Sequence, residues 1–259
     1  MSNPLHAKIA DAVHQEIVQV LTPLGHFLAA DDPQIVAWMD ALEKALPAGR
    51  ASAFLRMADV MHLTGNIDQV DRFITRAETN GIDPWLGRSH RAAMYQNLGL
   101  FSRAQSEARL VFSVQYQNVG MGLPHAVGNG GFGFARELLE QARVAQIPLD
   151  QVDQLDEIER IADGTRDLGV PDEAFARVLD IAGDLMRERG LLWLDRAPRF
   201  SFDEEMGCPG IRYRLEVTPE EAAEMDAEFI DRVVAADLDR LPLTVGFVGT
   251  VESTSTAEA

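Results

Sequence analysis

The chain has one cysteine, Cys208, so no disulfide can form within it, and nothing in its thiol content argues for export. It also lacks any run of 18 or more apolar residues, which excludes a transmembrane helix. The opening MSNPLHAKIADAVHQEIVQVL sets His, Asp, Gln and Glu among its apolar positions. It therefore has neither the basic start nor the unbroken apolar stretch of a secretion signal, and the cytoplasm is the expected compartment. Familiar catalytic signatures are missing too: there is no G-x-S-x-G, no H-E-x-x-H and no paired C-x-x-C.

Basic charge is scarce. Against 41 Asp and Glu stand 23 Lys and Arg, for a net charge of -18. Residues 1–148 have 12 basic against 14 acidic side chains, or -2; residues 149–259 have 11 against 27, or -16. Such a field repels phosphate backbones and anionic lipid, so neither direct nucleic-acid binding nor membrane binding is expected, whereas a basic protein partner is favoured. The plainer account of the same acidic helix faces is that they keep the protein in solution.

With 46% hydrophobic residues in 259, the chain can bury a core without disulfide or metal staples. Leu5, Ile9, Val13, Ile17, Val20 and Leu21 recur at helical spacing before Pro23 and Gly25. Asp32-Pro33 opens a second helix, whose apolar face runs from Ile35 to Leu46. An internal repeat follows. Ala58, Met61 and Gly65 return as Ala92, Tyr95 and Gly99, each 34 residues on. Each copy reads as a helix, a turn at glycine and a second helix. Ala58 and Ala92 let the paired helices approach, and Gly65 and Gly99 supply a permissive backbone where the first helix stops. A weaker unit spans about 116–147: Gly130, Phe132, Ala135, Leu139 and Ala142 match, but its first helix must include Gly120, Gly122, Pro124 and Gly128.

A 34-residue period resembles the tetratricopeptide (TPR) family over residues 51–147. The resemblance implies an α-solenoid whose first helices line a groove for a protein partner. Carried over by the matched register, the groove residues are Leu55, Asp59, His62 and Leu63 from one copy and Ser89, Ala93, Gln96 and Asn97 from the next. The sequence departs from the basic groove that clamps peptide carboxylates: Asp59 and Leu63 replace its amides, and it has no lysine there.

Beyond 148 the pattern changes. Leu149–Leu168 and Pro171–Arg189 read as acidic helices, with Gly190 ending the second. Phe200 and Phe202, then Ile211, Tyr213, Leu215 and Val217, alternate with polar residues as strands do, and Gly207-Cys208-Pro209-Gly210 reads as the turn between them. Thr218-Pro219-Glu220-Glu221 starts a helix, and Leu243–Val248 is strand-like. The expected fold is α+β and predominantly helical: a TPR-like repeat domain (1–148), a small acidic helix-strand-strand-helix-strand domain (149–250) with its last two strands parallel, and a disordered tail (251–259).

Other candidates are weaker. Gly128–Gly133 fits G-x-G-x-x-G, but no convincing strand precedes it; a flexible turn is expected, or at most an anion at the following helix N-terminus. The six histidines, His6, His14, His26, His62, His90 and His125, stand at no metal-type spacing, and Asp203, Glu204 and Glu205 form no recognisable cation loop. No metal and no cofactor is expected. The leading functional expectation is a protein-binding adaptor or scaffold, with a homodimer allowed. A neutralising protein of antitoxin or immunity type for a basic partner is the alternative. An enzyme working between the halves, using back-half carboxylates with Arg199, Arg212 or Arg214, is the third reading.

Overall fold

The computed structural model describes residues 4–21, 25–113, 118–192 and 198–251. The tail from Glu252 onward lies outside the described residues, as does Pro23. Helices dominate: α1 (Pro4–Leu21), α2 (Pro33–Ala45), α3 (Arg50–Leu63), α4 (Ile67–Thr79), α5 (Pro84–Asn97), α6 (Phe101–Phe112), α7 (Val119–Gly128), α8 (Phe132–Ala145), α9 (Leu155–Gly164) and α10 (Asp172–Glu188) precede a small sheet. That sheet contains β1 (Arg199–Asp203), β2 (Cys208–Leu215) and β3 (Thr244–Gly249), with α11 (Pro219–Ala235) between the last two.

Successive helices pair as hairpins packed one on the next, an arrangement compatible with a helical repeat. Gly65, Gly99 and Gly130 each take φ near +70° at the hairpin turns, the conformation that favours glycine. Ala58 and Ala92 are buried. The third hairpin forms despite its composition. Pro124 sits inside α7, and the glycines around it are used for close approach: a side chain at Gly122 would press on Phe112 and Leu138. Here interhelical packing overrides propensity.

Two helices differ from expectation. α9 is limited to Leu155–Gly164, where the apolar residues Ile158, Ile161 and Ala162 are buried. α10 has the expected length but does not simply continue the row of hairpins. It lies across the hairpin turns. Gly183 meets Gly99 backbone to backbone, so that a side chain on Gly99 would stand 2.5 Å from the Gly183 Cα. Seven residues earlier, Phe175 and Ala176 pack on Gly130. Seven residues later, the Gly190 carbonyl accepts the Phe27 N–H at 2.7 Å, and the Phe27 ring covers Gly65. Seven helical residues rise about 10.5 Å, close to the packing distance of neighbouring helices, so Ala176 and Gly183 of α10 meet successive turns, and Gly190, just beyond its end, reaches the next through Phe27.

α10 also caps what it crosses. α6 and α8 begin at Leu100 and Gly131, which offer no capping side chain. The Asp180 carboxylate accepts from Ser102 N (3.0 Å) and Ser102 Oγ (2.5 Å), and Asp172 accepts from Gly133 N (2.7 Å) and Phe134 N (2.9 Å). Arg187 donates to the Leu98 carbonyl at the end of α5. α4, by contrast, is capped by its own Asn66.

The sheet has the order β1-β2-β3, β1 antiparallel and β3 parallel to β2. α11 makes the expected crossover, opened by the Thr218–Glu221 capping box. The turn between β1 and β2 differs from the sequence reading. Cys208, Pro209 and Gly210 belong to β2, opposite Asp203, Phe202 and Ser201, and the reversal falls at residues 204–207. The Asp203 carboxylate accepts the Glu205 and Met206 N–H groups there, which is the local reason for the tighter turn. Phe200, Ile211, Tyr213, Leu215 and Phe247 face the helices; Tyr213 stacks between Phe101 of α6 and Phe247. On the free side of β3 the Phe247 N–H is taken by Asp226 of α11 at 2.9 Å, which blunts that edge. One buried apolar cluster runs from Ala92 to Phe247, across the domain boundary expected at 148; a second joins α1–α5 and includes Leu192.

Candidate functional site

The first helices of the hairpins form one layer. α1 packs on α3 and α5 on α7, while the Asp59–His90 contact joins α3 to α5. His14, His62, His90 and His125 fall one on each of these four helices. Asp59, half a helix from the Gly65 turn, is the centre of the layer. One of its oxygens lies 2.8 Å from Arg56 Nη1 and 3.6 Å from His14 Nδ1; the other lies 3.6 Å from His90 Nδ1. Burial works against its charge, but the interactions with His14, His90 and Arg56 outweigh it and hold the carboxyl well below the usual carboxylate range. His62, one turn away, is 4% exposed. Burial pushes its imidazole down to about 4, against an opposing pull from Asp59, so it is neutral at pH 7. Its Nε2 has no hydrogen-bond partner among the described residues.

A second polar group lies between α5 and α7. Gln96 Oε1 meets His125 Nδ1 in a short hydrogen bond, and Asn129 Nδ2 donates to the His125 carbonyl at 2.6 Å. Gln105 Nε2 donates to the carbonyls of Asn129 (3.0 Å) and Asp172 (3.1 Å), which carries the network to α10. Burial also lowers the His125 pKa.

The eight residues expected to line a groove therefore divide. Asp59 and His62 come together with His14 and His90 as a buried ionic and polar centre. Ser89, Ala93 and Asn97 are half-buried along α5. Gln96 is buried and engaged with His125. Leu55 and Leu63 are 3% and 0% exposed and belong to the apolar core, closed to any partner. The register transferred from the repeat places these residues on the first helices of two hairpins but does not fix their rotation. His14, Arg56 and His90 were missed as members of the site. Their signal was the position of each histidine on a first helix, together with Arg56 three residues before Asp59.

The G-x-G-x-x-G segment is no dinucleotide site. α7 rather than a strand precedes it, and the Asp172 carboxylate already occupies the α8 N-terminus, itself paired with Arg109 at 3.0 Å. A depression beside α9, lined by Asp156, Glu159, Arg160, Asp163, Phe202 and Glu204, contains no nucleophile beside a base. Among the described residues no group of three or more His, Cys, Asp or Glu is placed to hold a metal, and no helix is long and apolar enough to cross a membrane. Comparison with protein-family models, curated proteins and solved structures finds no match.

Proposed function

We propose that the helical half is a TPR-like repeat that binds a protein partner along its first-helix face, and that the protein acts as an adaptor or regulatory scaffold. The observation that supports this reading most is the continuous first-helix layer. It is held together internally by Asp59 and Gln96, and it leaves His14, Arg56, His90, Ser89, Ala93 and Asn97 half-buried beside one another. A half-buried strip of small and polar side chains over a pre-formed backbone suits recognition of an extended or helical segment at low ordering cost. The charge of residues 149–259 favours a second reading, in which the acidic half neutralises a basic protein.

One experiment separates the two. The tagged protein is purified from its native cells beside an Ala93→Arg/Asn97→Glu variant, at low and at high salt, and the bound material is identified by mass spectrometry. The first-helix reading expects a stoichiometric partner that the wild type retains at both salts and the variant loses. A partner kept by the variant but released by salt sinks that reading and favours the acidic half.

A further inference from the structure

One face of the three-stranded sheet packs on the helices. The other carries Arg199, Ser201 and Asp203 from β1, Gly210, Arg212 and Arg214 from β2, and Thr244, Gly246 and Val248 from β3, as the register dictates. Arg199 and Arg212 stand directly opposite each other across the antiparallel pair, with Arg214 two residues along the same strand; all three are exposed. Like charges at opposed positions destabilise a sheet. The protein has 18 more acidic than basic side chains, and most of its described arginines are ion-paired. These three arginines form no ion pair or hydrogen bond with the described residues. The nearest carboxylates on and beside the face are otherwise engaged: Asp203 accepts the N–H groups of its own turn, and Asp226, at the β3 edge, accepts from Phe247.

Two further features shape the face. Gly246, opposite Arg212 on β3, presents no side chain, and Gly210 is buried under two hydroxyls, where a side chain would collide with Ser201 Oγ at 2.5 Å and Thr244 Oγ1 at 2.9 Å. The positive strip is also short. Asp203 stands at one end, and β2 itself stops at Leu215 at the other, so only residues 210–214 of β2 carry the strip, about 13 Å of strand. A long polyanion would outrun the strip and run into the field of an acidic protein. A single tetrahedral oxyanion would meet guanidinium forks from two strands, with the Ser201 and Thr244 hydroxyls at one end.

From this we infer that the open sheet face binds a phosphate group, free or carried on a small organic molecule, through Arg199, Arg212 and Arg214. The site is separate from the first-helix face, and its test does not depend on any protein partner. Inorganic phosphate is titrated into the full-length protein by calorimetry and by thermal melting, with sodium chloride at matched ionic strength as the control and a nucleoside monophosphate as the second probe. Wild type shows saturable binding and a rise in Tm that chloride does not reproduce. A tighter monophosphate identifies an organic carrier, and equal or tighter inorganic phosphate identifies the free ion. Arg212→Gln weakens binding about tenfold or more while leaving the Tm without phosphate unchanged or higher, because it relieves the opposed charges. Arg212→Lys keeps the charge but loses the fork, and falls between. Arg240→Gln, which removes an unpaired arginine elsewhere, binds as wild type does. An effect equal to that of chloride, or one that survives Arg199→Gln/Arg212→Gln, overturns the inference.

Discussion

Burial decides the charge of His62. Its imidazole is buried with Nε2 unpartnered among the described residues, and its pKa falls from 6.5 to about 4. The unfolded chain therefore binds a proton near pH 6.5 that the folded chain refuses until about pH 4. Stability is undiminished above pH 6.5 and declines as pH falls through that window. Between pH 7 and pH 5 the loss from this group is on the order of 2 kcal/mol. Urea denaturation at the two pH values is expected to show His62→Leu losing less stability than wild type by roughly that amount. Parallel pH dependence in both proteins would exclude the assignment.

At the scale of single elements, α10 is informative because its one glycine contradicts helix propensity. An alanine at a helical glycine ordinarily stabilises by about 1 kcal/mol. At Gly183 the sign is expected to invert, since the new methyl would strike the Gly99 carbonyl and force α10 off the turn. Gly183→Ala should cost about 1–3 kcal/mol by chemical denaturation, and a stabilised variant would show that α10 does not lie against Gly99. The helices that announce themselves by local chemistry were legible in the sequence: Asp32-Pro33, the Gly65 and Gly99 turns, and the Thr218–Glu221 box all mark real boundaries. So was the parallel β2–β3 pairing, which follows from a strand-helix-strand order. What escaped was non-local. α7 is helical because Gly122 fits between Phe112 and Leu138, and Cys208-Pro209-Gly210 is strand because β1 pairs with it. The caps of α6 and α8 come from a helix roughly 40 to 80 residues later, where no local pattern can announce them. For the candidate site, spacing identified the helices and Asp59; only the rotation of α3 in the packed layer separates Asp59 from Leu55 and Leu63.

Across the whole molecule, helical half and sheet share packing. The larger apolar cluster runs from α5 to β3, Leu192 enters the smaller one, and Leu192 N–H donates to Gly25 at the other end of the chain. Charge composition divides the sequence near residue 148, but the buried apolar contacts cross it. A single cooperative transition is expected. Native-state hydrogen exchange should give the slowest amides of α3 and of β2 the same opening free energy. Two well-separated values would mean that the halves unfold on their own.

Arrays of helical hairpins ordinarily change length by duplicating or losing one hairpin, since each touches only its neighbours. In this chain that route is obstructed. A hairpin gained between Gly65 and Gly130 would move the later turns along by one hairpin, while Ala176, Gly183 and Gly190 would still be spaced for the present set. The change would be neutral only if seven residues entered α10 in the same event, because one or two would rotate its remaining contacts away from the turns. A coincidence of that kind between two distant stretches of a gene is rare. An uncompensated extra hairpin is therefore expected to cost the contacts between α10 and the turns, so the length of this helix and the number of hairpins are tied to each other.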